Sequence, residues 1–283
     1  MARYEIAVIG GGPAGLSAAV QARQRGKTAV VISGDDRDGA LRKAARVDNY
    51  LGLPHASGEE LLDAFRSQAE DMGAERMTGR ALNIMSISGT FYISVGSDVI
   101  EAGAVVLAPG VARGAKYPGE AEHLGNGVSY CATCDGMLYR KHDVVVVGKS
   151  AEAPEEARFL QGIGCRVTYV AGQRPENLDP AIPFVKGGRI EILGDGSVTG
   201  VRADGQVLPC DGVFILRAAI APTDLLPDLV LRDGYIAVDR DMATSIPGVF
   251  AAGDCTGLPL QVSKAVGEGL IAGHRAAEYL GNL

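Results

Sequence analysis

The chain has 283 residues, of which 47 % are apolar and 39 are glycine, and it carries a formal charge of −7. It is too apolar for disorder, too acidic for nucleic acid to be its main partner, and long enough that two domains are expected. No apolar run approaches the ~20 residues that span a bilayer; the short Tyr4–Ile9 run lacks a basic lead and a cleavage site, so a cytoplasmic location and no membrane partner are expected.

In chain order, Glu5–Gly10 predicts a buried strand, Pro13–Arg25 a helix and Lys27–Ile32 a second strand, a βαβ unit. A helix follows over Gly58–Met72, opened by Ser57 and Glu60 as a capping box. Ala81–Ser88 and Thr90–Val95 predict a small antiparallel ribbon, and Val105–Gly110 another buried strand. The pattern restarts with a strand at Asp143–Gly148, a helix at Ala153–Gln161 and a strand at Cys165–Ala171. Strands at Ile190–Leu193, Ser197–Ala203 and Gly212–Leu216 follow. Residues 247–254 predict a final strand, covered by a helix over Lys264–Leu280. The repeated βαβ unit implies an α/β fold of two Rossmann-like domains, the second inserted into the first. The expected limits are 1–112 with 245–283 for the first domain and 113–244 for the insert.

Gly10-Gly-Gly12-Pro13-Ala14-Gly15 stands after a strand and at a helix start, where G-x-G-x-x-G serves a dinucleotide. Gly10 permits the tight turn, Gly12 admits a pyrophosphate to the backbone and Gly15 lets helix and strand pack closely. The helix N-terminus then faces the negative charge. A second signature lies at Ala251-Ala-Gly253-Asp254, a strand ending in the Gly-Asp that FAD-binding disulfide reductases use to hold the ribityl chain and pyrophosphate. The two together predict FAD.

Cys131-Ala-Thr-Cys134 places two thiols one helical turn apart, within disulfide reach if they open a helix. A helix N-terminus favours the thiolate, and Asp135 is placed to carry the proton of disulfide exchange. A zinc site needs about four ligands, and no second C-x-x-C or paired histidine accompanies this one, so no metal is expected. A structural bridge is the other alternative. Of the five cysteines, Cys165 and Cys210 read as packing residues; Cys255, next to Asp254, is less easily placed.

These landmarks, with Ser33-Gly34, Gly39-Ala40-Leu41 and Asp48-Asn49-Tyr50, make the chain resemble the low-molecular-weight thioredoxin reductases from Tyr4 to about Leu280. The resemblance implies the FAD/NAD-linked disulfide reductase fold, FAD, a homodimer, and thioredoxin as electron acceptor. It places Asn49, Gln261 and Val262 beside the isoalloxazine ring and Ser33 to Leu41 along the adenosine and flavin edge. Pro13, Ala14 and Gly110 fall in the cofactor-binding set. It also implies that Cys134 faces the flavin while Cys131 attacks the partner disulfide.

The second βαβ unit departs from NADPH-dependent relatives at three points. Its turn reads Gly148-Lys-Ser150-Ala-Glu152-Ala153-Pro154, with serine at the second glycine position and a carboxylate where phosphates would lie. Ala171-Gly172-Gln173 stands where those relatives carry His-Arg-Arg. The 216–223 segment, Leu-Arg-Ala-Ala-Ile-Ala-Pro-Thr, replaces their Gly-His-x-Pro. Loss of these motifs beside an intact thiol pair resembles the ferredoxin-dependent flavin thioredoxin reductases, as do Lys43 and the Gln261–Gly269 segment. Reduced ferredoxin is therefore the expected donor, docking on Arg42, Lys43 and Arg46 or on Arg140 and Lys141. The competing functions are the same reductase using NADPH or a deazaflavin, an FAD-dependent dithiol oxidase, and a redox sensor without turnover.

Overall fold

The computed structural model describes residues 1–34, 39, 41–110, 116–217 and 221–281. The chain divides into two compact units, Met1–Ala112 with Ala219–Leu283, and Arg113–Ala218.

The first unit is built on a seven-stranded sheet. Strands β1 (Ala2–Ile9) and β2 (Ala29–Ser33) flank helix α1 (Pro13–Gln24) in sequence and pair in parallel, Ile6 with Ala29 and Ile9 with Ile32. The Ile6–Ile9 half of β1 and the Ala29–Ile32 run of β2 are continuously apolar and buried because helices cover the sheet there. Helix α2 (Gly58–Asp71) starts at a full capping box: the Glu60 amide donates to Ser57 Oγ at 3.2 Å and the Ser57 amide to Glu60 Oε2 at 2.7 Å. Strands β3 (Glu75–Thr78), β4 (Ala81–Ile87), β5 (Thr90–Val95) and β6 (Asp98–Leu107) complete the first stretch. The β4–β5 ribbon is antiparallel, as its alternating pattern predicts.

The insert holds a five-stranded sheet in the order β10-β9-β8-β14-β7 and a separate three-stranded sheet. In chain order its elements are β7 (Val128–Ser129), the one-turn helix α3 (Ala132–Asp135), β8 (Asp143–Lys149), α4 (Ala153–Gly162), β9 (Arg166–Ala171) and β10 (Phe184–Lys186). Next come β11 (Ile190–Asp195), β12 (Ser197–Ala203), β13 (Gln206–Pro209) and β14 (Gly212–Arg217). All pairings in the five-stranded sheet are parallel.

The returning chain adds α5 (Pro222–Leu225), the short hairpin β15 (Leu231–Arg232) and β16 (Tyr235–Ile236), β17 (Val249–Ala251) and α6 (Val262–Gly281). Strand β17 pairs in parallel with Val105–Leu107 of β6, while β5 pairs with Asp98–Ala102. Because β1 takes the other edge of β6, β5 and β17 share one edge end to end. Helix α6 lies so close to α1 that a Cβ at Gly269 would stand 2.1 Å from the Ala14 carbonyl oxygen and one at Gly273 2.3 Å from that of Ala18.

The return to the first unit comes earlier in the chain than the expected boundary at 244. Residues 221–244 lie in the first unit because α5 packs against β4 and β16 against the turn at 254–256. The Ala251 amide also donates to the Met242 carbonyl at 3.0 Å, tying this segment to β17. Among the described residues no helix is long and apolar enough to cross a membrane.

Candidate active site

The predicted residues fall into two clusters, one in each unit. In the first unit, the β1–α1 turn has the backbone that its glycines predict. Gly10 has φ +117°, and a Cβ there would lie 2.1 Å from the Ala108 carbonyl oxygen; a Cβ at Gly15 would lie 1.9 Å from that of Gly10. At Gly12 a Cβ would meet nothing within 4 Å. Gly10 and Gly15 are thus required by the fold, whereas the open side of Gly12 is free to receive a ligand. Gly12 caps α1 without a side-chain hydrogen bond, Pro13 occupies the first turn, and no acidic residue stands there. A half-buried helix start of this kind, with no side-chain cap, attracts a phosphate.

The Gly-Asp signature is brought to the same turn. A Cβ at Gly253 (φ +88°) would lie 2.8 Å from that of Ala14, and Asp254 follows directly. Ser33 flanks the turn from β2, 2.9 Å from where Gly11 would carry a Cβ. Asn49 and Gln261, 212 residues apart, are joined by a 2.6 Å hydrogen bond from Asn49 Nδ2 to Gln261 Oε1. Val262 begins α6, and Gly110 lies just past β6 with φ +73°. Gly34 and Gly39 follow β2, and the Leu41 carbonyl is approached closely by Gly58; Ala40 lies outside the described residues. These residues fit a dinucleotide such as FAD: two glycines close the turn, a third stays open, and an acid-free helix start faces it.

Cys255, next to Asp254, packs in the interior. Its thiol is buried, donates weakly to the Leu107 and Ala252 carbonyls at 3.6 and 3.3 Å, and is pushed up to about 12 by desolvation. Burial likewise raises Cys210 to about 12 and lifts Cys165. None of the three supplies a thiolate near neutral pH.

The second cluster is the redox turn of the insert. Cys131 and Cys134 form a disulfide, with Cα atoms 5.4 Å apart. Cys131 caps α3, its Sγ accepting the Cys134 amide at 3.1 Å. Ser129, buried at the end of β7, holds the turn from below: its hydroxyl accepts the Cys131 amide at 3.0 Å and donates to Asp135 Oδ2 at 2.6 Å. Ser129 carries no sequence signal of its own, and only the folded turn shows its role. The Ala132 amide points at Glu156 Oε2 of α4, 3.4 Å away. Cys131 is buried and Cys134 exposed. Beyond the pair, Met137 and Leu138 are 59 % and 75 % exposed, an apolar surface beside the thiols.

The second dinucleotide-type turn contrasts with the first. Glu152 caps α4, and Glu155 and Glu156 occupy its first turn. The Ser150 hydroxyl is buried with no hydrogen-bond partner. Tyr169 packs against the backbone of Gly148 so closely that a Cβ there would lie 1.8 Å from the phenol oxygen. Its hydroxyl is raised to about 12, by burial first and then by the Glu156 charge. Of the basic clusters, the one at 42–46 is neutralised in place: Arg42 pairs with Glu59 and Asp63, and Arg46 with Asp48 at 2.7 Å. Arg140 and Lys141 are both exposed, separated from the apolar pair at 137–138 by Tyr139 alone.

The family model for pyridine nucleotide-disulphide oxidoreductases matches residues 4–269. A thioredoxin reductase of Listeria monocytogenes is 33 % identical over 302 residues, covering 99 % of this chain and 95 % of its own length. The crystal structure of a ferredoxin-flavin thioredoxin reductase from Clostridium acetobutylicum matches with a TM-score of 0.94 at 38 % identity, over 100 % of this chain and 99 % of that one. A thioredoxin reductase structure from Gloeobacter violaceus gives 0.87 at 32 % identity, over 99 % and 95 % of the two chains. Members of this family are FAD-binding flavoproteins, in keeping with the β1–α1 turn. With that turn, the Gly253-Asp254 strand end and the Cys131–Cys134 pair in place, the chain belongs to the pyridine nucleotide-disulphide oxidoreductase family and, within it, to the thioredoxin reductases.

Proposed function

We propose that this protein reduces the disulfide of thioredoxin through Cys131 and Cys134, drawing its electrons from reduced ferredoxin, as a homodimer. The observation that carries the choice of donor is the contrast between two helix starts. The first turn of α1 has no acidic residue, whereas α4 presents Glu152, Glu155 and Glu156. Carboxylates at a helix N-terminus satisfy its positive end and repel a phosphate. Ser150 stands at the second position of the turn, where Gly12 of the first turn keeps its backbone open, and so removes the access that a nicotinamide dinucleotide requires. The likeness to the Clostridium acetobutylicum enzyme supports the same donor.

FAD, when bound, supplies a two-electron store between a one-electron donor and a disulfide. The residues of the insert perform the exchange. The Cys131 thiolate attacks one sulfur of the thioredoxin disulfide, breaking that bond and releasing the other sulfur as a thiolate that takes a proton. The Cys134 thiolate then attacks Cys131 in the mixed disulfide. The Cys131–Cys134 bond forms, and the second thioredoxin sulfur leaves and is protonated, so two electrons have passed to thioredoxin. Asp135, held at 2.6 Å by Ser129, stands beside the pair to move these protons. Met137 and Leu138 offer the exposed apolar surface on which a protein substrate docks. The exposure of Cys134 in the oxidised pair favours a second reading in which Cys134 attacks first.

Anaerobic mixing of the purified protein with NADPH, NADH, reduced ferredoxin or a reduced deazaflavin, followed by flavin absorbance, tests the donor. Bleaching by ferredoxin alone is expected. Bleaching by micromolar NADPH at the rate of turnover overturns the proposal and returns the chain to the NADPH-dependent reductases. Sedimentation velocity tests the dimer.

A further inference from the structure

Lys264 and Glu268 stand one turn apart on α6, and both direct their charged ends into the turn that follows β17. Lys264 Nζ donates to the Gly253 carbonyl at 2.8 Å, to Thr256 Oγ1 at 2.9 Å and to the Gly257 carbonyl at 2.7 Å. An ammonium has three N–H groups, so all of them are spent on this one turn. Glu268 Oε2 lies 3.2 Å from the ammonium, accepts the Gly253 amide at 2.9 Å, and lies 2.8 Å from Thr256 Oγ1. The Thr256 hydroxyl thus accepts from lysine and donates to glutamate, closing a ring. Both charged side chains are less than one-fifth exposed.

The turn needs holding. Gly253 and Gly257 have φ +88° and +126°, a region that a free chain leaves readily. Between them sits Asp254, the acid of the Gly-Asp signature. Helix α6 is itself fixed, since Gly269 and Gly273 seat it against α1 at backbone contact.

We propose that Lys264 and Glu268 are positioning residues for the cofactor: their mutual ion pair transfers the fixed placement of α6 to the Gly253–Gly257 turn and holds Asp254 where FAD is bound. The inference rests on FAD as the cofactor. Neither residue belongs to the glycine or Gly-Asp signatures, and an i,i+4 Lys–Glu pair on a helix is ordinarily a surface feature worth little.

The test measures FAD binding to stripped apoprotein by fluorescence quenching, for wild type, Lys264→Met, Lys264→Arg and Glu268→Gln, with the unfolding midpoint of each apoprotein as a control for folding. Charge-assisted bonds are lost in Lys264→Met, so its dissociation constant for FAD rises about tenfold or more. Lys264→Arg, which keeps charge and donors, recovers much of that loss. Glu268→Gln, which keeps an acceptor for the Gly253 amide, falls between. Wild-type affinity in Lys264→Met overturns the proposal, as does an equal loss in Lys264→Met and Lys264→Arg. If Lys264→Met does not fold, Lys264→Gln and Glu268→Gln carry the same comparison. Failure of wild-type apoprotein to bind FAD at all would be a separate result, against the cofactor itself.

Discussion

Arg217 grips Glu120 through two parallel hydrogen bonds, Nη1 to Oε1 at 2.6 Å and Nη2 to Oε2 at 2.7 Å. Glu120 is fully buried and accepts two more, from the Tyr117 amide and the Tyr130 hydroxyl, each at 2.8 Å. The Arg217 guanidinium also lies 5.1 Å from the Tyr117 ring centroid. The pair therefore ties the end of β14, where NADPH-dependent relatives carry a nicotinamide motif, to Tyr130, the residue before Cys131.

This arrangement sets an acid limit on stability. Burial opposes the Glu120 charge, but the bonds from Arg217, Tyr117 and Tyr130 outweigh it and hold the carboxyl below its ordinary value. A depressed folded-state value contributes stability that is complete above the unfolded pKa of about 4.3 and is lost as pH falls through the lower folded value. Melting curves of wild type should therefore steepen their decline below about pH 4.3. Glu120→Gln should melt lower at neutral pH, because Arg217 loses its charged partner, and show a shallower acid decline. Parallel acid slopes would remove Glu120 from the account.

Single-thiol variants decide the order of attack. With Cys131 as nucleophile, Cys134→Ser traps a stable mixed disulfide with thioredoxin, and Cys131→Ser does not. Both retain FAD, because neither residue belongs to the β1–α1 turn. A trapped complex with Cys131→Ser alone would give the first attack to the exposed Cys134. Non-reducing electrophoresis and mass spectrometry read the outcome.

Rebuilding the second turn should create affinity for NADPH. Glycine at Lys149 and Ser150, glutamine at Glu152, and His-Arg-Arg at Ala171 to Gln173 restore backbone access and a grip on the 2′-phosphate. Each recovered charge-assisted contact is worth about tenfold in binding. Isothermal titration should detect NADPH in the rebuilt protein and not in wild type. Activity need not follow, since hydride delivery also depends on where the nicotinamide ring lies.

Two glycines of the first turn should fail in different ways. Gly12→Val meets open space in the protein, so it folds but emerges colourless, because the side chain occupies the room of the pyrophosphate. Gly15→Val drives a side chain into the Gly10 carbonyl, 1.9 Å from its Cβ, and destabilises the fold itself. Absorbance at the flavin band and circular dichroism separate the two. A fully yellow Gly12→Val protein would unseat the FAD assignment.

Much of the fold was legible because its signals are local. The β1–α1–β2 unit, the Ser57–Glu60 capping box and the β4–β5 ribbon follow from periodicity and caps within a few residues. The short strands β3, β7 and β10 did not, since two to four residues carry no period of their own and exist only through the neighbour that pairs with them. Thiol chemistry could be read from Cys131-Ala-Thr-Cys134, but its helix is a single turn, and Ser129 rather than helix length holds Asp135. The Asn49–Gln261 bond and Tyr169 against Gly148 join residues that only the folded backbone brings together, whereas the Lys264 clamp lies within residues 253–268 but carries no motif that would single it out.

The end-to-end sharing of one edge of β6 by β5 and β17 also bears on biosynthesis. The last stretch of that edge and the helix that covers α1 are translated only after the whole 113–218 segment has been synthesised. The thiol-bearing unit is continuous in sequence and can fold as it emerges. The flavin-bearing unit waits, with the β6 edge at Val105–Leu107 unpaired and the α1 surface bare, until the final residues arrive. A released chain that ends shortly before Val249 should therefore hold a protease-resistant insert and no flavin.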